Sequence, residues 1–417
     1  MHSTINTAIM TNRMLFLVYL RGEGDFMKYR RGIMFLIVLT GMISIAAFNP
    51  IIGPLARNLG LSDFQSGCLV SVAGLCWLLG GYFWEKQTFM SRKWLLASIM
   101  FVYMATLIIF ALLADYAVNA QSKESLFWSF FFLRAIAGFF FGGIPALAQA
   151  YVMGWSTKET RTQGMALIVA ANGLGFVVGP AMSGGMASLG LTSPMYAAAI
   201  LLFTLAILFL VFIPKEKNIE IERQAISLSP NDRRIRLYLW IGLLLSFALN
   251  IVQVTIGFFV QDSLGYSTQQ ATQLIGMGLA ISGIMVVLSQ IVISKYLKWH
   301  PKKVLLVGLL FVALGLLGLL LFIRFAYVDF TFLGIGIGFT LLGYSAGASM
   351  AVQDHEQRSV ASFIAALQGG GSFIGPVIGT ALYTVNMALP YSICVLLICI
   401  VGLANMKKRE ADRVESC

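Results

Sequence analysis

The sequence predicts an all-α membrane protein in which twelve transmembrane helices form two pseudo-symmetric six-helix halves. Three observations carry this reading. Hydrophobic residues make up 58% of the 417 and charged residues only 11%, with a mean hydropathy of +0.83; a soluble domain carries about a quarter charged residues. The apolar residues fall into twelve runs, each long enough to cross a hydrocarbon core of about 30 Å at 1.5 Å per residue. At a constant offset of 196, Gly138, Gly142, Gly173, Gly175, Gly179 and Pro180 fall on Gly334, Gly338, Gly369, Gly371, Gly375 and Pro376. Such internal symmetry is expected of a carrier whose halves rock about a central site.

Taken in order, the chain opens with an expected N-terminal tail, residues 1–32. Its first 26 residues contain a seven-residue apolar run, Met14 to Leu20, too short to span. They are expected to be dispensable, with Met27-Lys28-Tyr29-Arg30-Arg31 the natural opening of a cytoplasmic N-terminus. The N-terminal half, 33–214, is expected to hold spans at 33–56, 66–84, 94–114, 126–152, 163–187 and 192–214. Residues 215–236 carry ten charges and a Ser229-Pro230-Asn231-Asp232 turn signal, and are read as the linker between halves. The C-terminal half, 237–406, follows with spans at 237–261, 270–293, 303–324, 326–351, 360–384 and 386–406, and then a tail, 407–417.

Charge distribution orients the chain. Of 29 Lys and Arg, 23 fall in segments this topology places in the cytoplasm; Arg57, Lys123 and Arg324 fall outside, Arg134 within a span, and Arg13 and Arg21 in the first 26 residues. The bias follows the positive-inside rule, so both termini are expected in the cytoplasm and the net charge of +11 does not point to nucleic acid. Cys68, Cys76, Cys394 and Cys399 lie inside apolar runs and read as inert thiols rather than a disulfide or metal framework. No phosphate-binding G-x-x-x-x-G-K-[ST] loop and no H-E-x-x-H occurs, which removes the usual ATP-driven and zinc-hydrolase readings. No cofactor or metal is expected.

Arg134 is the residue the sequence marks most strongly. It sits about eight residues into the fourth span, where an arginine costs on the order of 3 kcal/mol to insert, so a functional role is the default. It either takes part in coupling or anion binding, or ties the fourth helix to backbone carbonyls. All 18 Asp and Glu are assigned to loops, tails or helix ends, with Asp115 and Asp262 nearest the external boundary, which leaves no midplane carboxylate to carry a proton. Among uncharged polar residues, Asn49, Asn250 and Gln253 are the expected substrate or coupling positions, because the first and seventh helices open the two halves. Asn172 to Gly185 packs five glycines and Pro180 into one apolar run. In a membrane helix, glycines permit close helix approach and a proline bends the backbone.

These residues resemble the major facilitator superfamily, and within it the twelve-helix drug:proton antiporters. Gly175-x-x-x-Gly179-Pro180-x-x-Ser183-Gly184 is similar to the antiporter motif of the fifth helix, with Ser183 in place of a usual glycine. Arg134-x-x-Ala137-Gly138-x-x-x-Gly142 resembles the fourth-helix motif whose arginine is linked to proton coupling. In the loop between the second and third helices, Gly81, Glu85, Lys86, Arg92 and Lys93 match the family's cytoplasmic gating loop, but Ser91 and about three extra residues alter its spacing. The resemblance implies a monomeric, proton-coupled exporter of a small organic molecule, a drug or a metabolite such as a siderophore, in the inner membrane, with the lipid bilayer and protons as its other partners. It also implies that Gly179 and Pro180 pack the fifth helix against the eighth. An importer of a siderophore or organic acid, or a membrane sensor without transport, are the alternatives the residues leave open.

Overall fold

Residues 23–414, apart from positions 88, 117–121, 157–160, 215–227, 298 and 354–355, are described by a computed structural model. Twelve α-helices follow one another: α1 Glu23–Asn58, α2 Asp63–Glu85, α3 Arg92–Tyr116, α4 Lys123–Gly154, α5 Arg161–Met186, α6 Ser193–Phe212, α7 Arg236–Leu264, α8 Thr268–Lys295, α9 Pro301–Leu321, α10 Ala326–Met350, α11 Gln357–Val385 and α12 Leu389–Val414. No strand occurs among the described residues. Among the described residues ten helices are apolar and long enough to cross a membrane, and α12 adds a shorter apolar stretch, Leu389–Asn405. The twelve expected spans therefore match twelve helices. Helix α1 begins at Glu23, inside the stretch read as tail, and α12 runs on to Val414. Hydropathy marks only the part of a helix that sits in hydrocarbon, whereas the hydrogen-bonded ladder continues into the aqueous layer. The first 22 residues and most of the linker lie outside the described residues.

Local chemistry sets the helix starts. Ser62 and Ser267 open α2 and α8 with the same capping box, each hydroxyl accepting from the backbone N–H of Gln65 or Gln270 while that glutamine side chain accepts from the serine N–H. The turn between α1 and α2 needs Gly60, whose φ of 71° is left-handed. At the end of the linker, Arg234 joins Asp232 at 2.8 Å and Glu356 at 2.9 Å, tying the approach to α7 to the segment before α11. The hydrogen bonds from Arg234 hold the Asp232 carboxyl below its ordinary range.

Each half has its own core. One cluster of buried apolar residues runs from Ile33 to Ile213 and another from Leu228 to Ile398. A third, around Phe48, Ile51, Phe110 and Phe130, draws in Val254 across the boundary. Within each half the offset repeat is a set of matching contacts. Gly138 packs α4 on the Ala73 carbonyl of α2, and Gly334 packs α10 on the Ser282 carbonyl of α8. Gly175 and Gly179 bring α5 onto Met42, Ile43 and Ala47 of α1; Gly371 and Gly375 bring α11 onto Ser246, Phe247 and Ile251 of α7.

Contacts between the halves gather toward one end. We call the end where α6 stops and α7 starts the linker end, and the opposite one the far end. Gly184 of α5 meets Gly276 of α8, Gly67 of α2 meets the Pro376 carbonyl of α11, and Pro54 of α1 meets Gly257 of α7, all in far-end portions of their helices. The halves thus close on each other at the far end.

Gly138→Leu should lower the melting temperature of the purified protein, through overpacking on the order of 1–3 kcal/mol, because a Cβ at Gly138 would overlap the Ala73 carbonyl. Gly173→Ala, where nothing lies within 4 Å, should melt at or slightly above wild type. Equal melting temperatures in a detergent thermal-shift series would remove the packing role of Gly138.

Candidate functional site

The centre of the molecule is spanned by an amide pair. Asn49 Nδ2 of α1 donates to Gln253 Oε1 of α7 at 2.7 Å. Asn49 lies nine residues before Asn58, so the pair sits about 13 Å in from the far end. Both side chains are half-buried, and their bond joins the halves directly. Asn250 lies nearly one turn toward the linker end and donates to the Ser246 carbonyl of its own helix at 2.8 Å. Of the three expected central residues, two therefore meet across the halves and the third is held within α7.

Arg134 is enclosed in the N-terminal half, 3% exposed. Its Cζ lies 3.8 Å from the centroid of the Phe48 ring of α1, and its Nε donates to the Leu69 carbonyl of α2 at 3.4 Å. Nearby, Ser44 of α1 and Tyr103 of α3 share a hydrogen bond of 2.8 Å. No carboxylate pairs with Arg134 among the described residues. The guanidinium thus joins α1, α2 and α4 through a ring face and a carbonyl, the arrangement that suits a planar, weakly hydrated cation. Phe48 is the residue before Asn49, so this fixed positive charge lies behind the helix that presents the central amide.

The α5 motif divides by face. Gly175, Gly179 and Ser183 all point to α1, and the Ser183 hydroxyl donates to the Ala47 carbonyl. Pro180 and Gly184 point to Gly276 of α8, and Val177 meets Gly283. The expectation that Gly179 packs on α8 is corrected: four-residue spacing puts Gly179 in line with Gly175 and Ser183, and the α8 contact falls to Gly184.

In the last turns of α2, Gly81 lies near the Gly142 carbonyl of α4, and at the start of the α2–α3 loop Lys86 Nζ sits 3.5 Å from the Tyr82 ring centroid. Trp84 Nε1 donates to the Phe139 carbonyl at 3.0 Å, fixing the end of α2 on α4. Glu85 is exposed, and Arg92 and Lys93 lie half-buried at the start of α3.

Two features were not singled out from the sequence. Asp329, in the first turn of α10, is 5% exposed, and its Oδ2 is buried without a hydrogen-bond partner. Its niche against α9 exists because position 318 is glycine. At the far-end rim, Arg57 of α1 binds two carboxylates. Its Nε and Nη2 donate to Asp63 at 2.9 and 2.8 Å, and its Nη1 and Nη2 donate to Asp262 of α7 at 2.6 and 2.9 Å. Tyr383 of α11 donates to Asp262 Oδ2 at 2.7 Å, and Thr268 of α8 donates to Asn58 Oδ1 at 2.9 Å. The sequence did hold a signal: Arg57 and Asp262 end the first helices of the two halves, 205 residues apart.

The chain matches the sequence profile of the Major Facilitator Superfamily over residues 34–376. It is 28% identical over 291 residues to the class C tetracycline resistance protein of Escherichia coli, covering 65% of this chain and 70% of that protein. It is 21% identical over 371 residues to Multidrug resistance protein 2 of Bacillus subtilis, covering 85% and 88%. Among solved structures, a bacterial homolog of the human lysosomal transporter Spinster, inward-facing and occupied, superposes with a TM-score of 0.71 at 11% identity over 93% of this chain and 98% of that one. The nucleoside transporter NupG superposes with a TM-score of 0.70 at 15% identity over 91% and 98%. At such identities the superpositions speak for the fold alone.

A double-mutant cycle of Asn49→Ala and Gln253→Ala should give a coupling energy on the order of 0.6 kcal/mol. Additive losses in thermal stability would show that the amide contact does not hold the halves together.

Proposed function

The chain belongs to the major facilitator superfamily and is a membrane transporter rather than an enzyme, and from that premise we propose that it exports a small organic molecule in exchange for protons by alternating access. The observation that carries this reading is the relationship to two resistance proteins, one of them matched over 85% of this chain. A drug or a secreted metabolite such as a siderophore is the substrate class we favour. The positive-inside bias supports placing the linker end in the cytoplasm of an inner-membrane protein. The halves close at the far end, so this conformation is then the inward-facing one, ready to load substrate from the cell.

The residues take roles within this reading. Asn49 and Gln253 meet where the halves face each other and offer amide groups to a substrate arriving from the linker end. Arg134 acts through its field, since no carboxylate pairs with it among the described residues and Phe48 covers it. A buried cation there favours an anionic group, or disfavours a second positive charge, beside Asn49. Moving one charge through 100 mV is worth about 2.3 kcal/mol, enough for roughly a fifty-fold gradient at about 1.4 kcal/mol per tenfold. One proton per cycle therefore suffices for useful export.

The test uses inverted membrane vesicles, acidified inside and carrying a pH-sensitive dye, with a panel of drugs, siderophores and organic acids. Dye recovery with one compound, lost in Arg134→Ala at matched insertion, is expected. No recovery with any compound, in vesicles where a control antiporter responds, would remove the export assignment. A fully active Arg134→Ala would remove the arginine's role. Gly184→Leu should abolish sealed transport, because its side chain would force α5 off Gly276; normal tight exchange in that variant would sink the seal.

A further inference from the structure

We propose that Arg57 and Asp262 form a releasable charge latch that weights the transporter toward the conformation closed at the far end. The proposal rests on alternating access, not on the direction or coupling of transport.

The geometry separates what stays from what must part. Asp63 belongs to the same half as Arg57 and is joined to it by the tight turn in which Gly60 N–H bonds the Arg57 carbonyl and Leu61 N–H bonds that of Ala56. That turn moves with α1 and α2, so the Arg57 to Asp63 pair survives any rocking of the halves. Asp262 belongs to the other half, where Tyr383 of α11 orients it. When the far end opens, the bidentate contact between Arg57 and Asp262 must break. Arg57 then keeps Asp63, and Asp262 keeps Tyr383. Neither charge is left without a partner, and both lie at a partly exposed rim where water completes their shells. A latch built this way releases without stranding a buried charge, which is the large cost of breaking enclosed ion pairs.

Below the rim the contact is apolar. Phe258 of α7 lies under the guanidinium, 4.6 Å from Arg57 Cζ, and fills the notch left by Gly53; Pro54 fills the one left by Gly257. Shape makes the seal, and the charges above it set how long it stays shut. A part-exposed bidentate pair at this rim should shift the closed-to-open ratio by about two- to fivefold.

The experiment places spin labels at Glu124→Cys and Gln269→Cys, exposed far-end positions in opposite halves, with the native cysteines replaced by serine. Distance distributions are measured by double electron–electron resonance in lipid nanodiscs. Asp262→Asn and Arg57→Gln, which approach the bond from its two sides, should each raise the long-distance fraction about two- to fivefold. Asp262→Glu should stay near the parent. Parent-like distributions in both Asp262→Asn and Arg57→Gln would overturn the latch. The readout needs no transported compound, so a silent flux assay alongside the expected distance change would defeat export while leaving the latch in place.

Discussion

Inside a bilayer no hydrophobic force draws one apolar helix to another, because lipid tails are as apolar as leucine. Helices hold together there only where their surfaces fit, and in this protein glycine makes the fit. Where Gly175 and Gly179 lie on α1, and Gly371 and Gly375 on α7, the backbone of one helix nearly touches that of the next. Everything else is arranged around those approaches. They fix α1 to α5 and α7 to α11, and so place Asn49, Gln253 and the far-end rim at set heights.

Charge is used sparingly and at the edges of this framework. Arg134 is placed inside one half, where a ring face and a carbonyl satisfy it and where both of those partners belong to the same half. Arg57 and Asp262 stand at the rim between halves, where water can replace the partner that leaves. A buried ion pair across the midplane would have made each opening far more costly. The central link is instead a neutral amide pair, Asn49 to Gln253, cheap to break and to re-form.

The fold was legible because its signals are redundant. Twelve apolar runs, a polar linker and a gapless offset of 196 all describe one architecture, and the offset even assigns faces: residues 371, 375 and 379 meet α7 as 175, 179 and 183 meet α1. The site was legible only in part. Arg134 stood out as a charge in an apolar run, but its neighbours Phe48 and Leu69 come from other helices, and no periodicity within α4 reveals them. Asp329 was read as a helix-end acid, which it is; its burial depends on Gly318 of α9 making room. The rim network escaped notice because Arg57 and Asp262 each read as an ordinary helix terminus.

The two faces of α5 show how one helix can be both part of a rigid half and part of a moving seam. Gly175, Gly179 and Ser183 recur every fourth residue and lie on α1; Pro180 and Gly184, with Val177 beside them, lie on α8. The α1 face carries a hydrogen bond, from Ser183 Oγ to the Ala47 carbonyl, in addition to its close packing. On the α8 face Gly184 and Gly276 press backbone on backbone. A contact made of shape alone loses little orientation-dependent energy while sliding and re-forms when the surfaces return, whereas a hydrogen bond, being directional, resists displacement. Ser183 in place of glycine therefore strengthens the side of α5 that must stay attached. The same division recurs in the other half, where Gly371, Gly375 and Gly379 lie on α7 while Ser372, Pro376 and Thr380 face α2. The faces of α5 and α11 that meet α8 and α2 flank the seam between the halves, on either side of the α1–α7 contact that carries the amide pair and the rim charges.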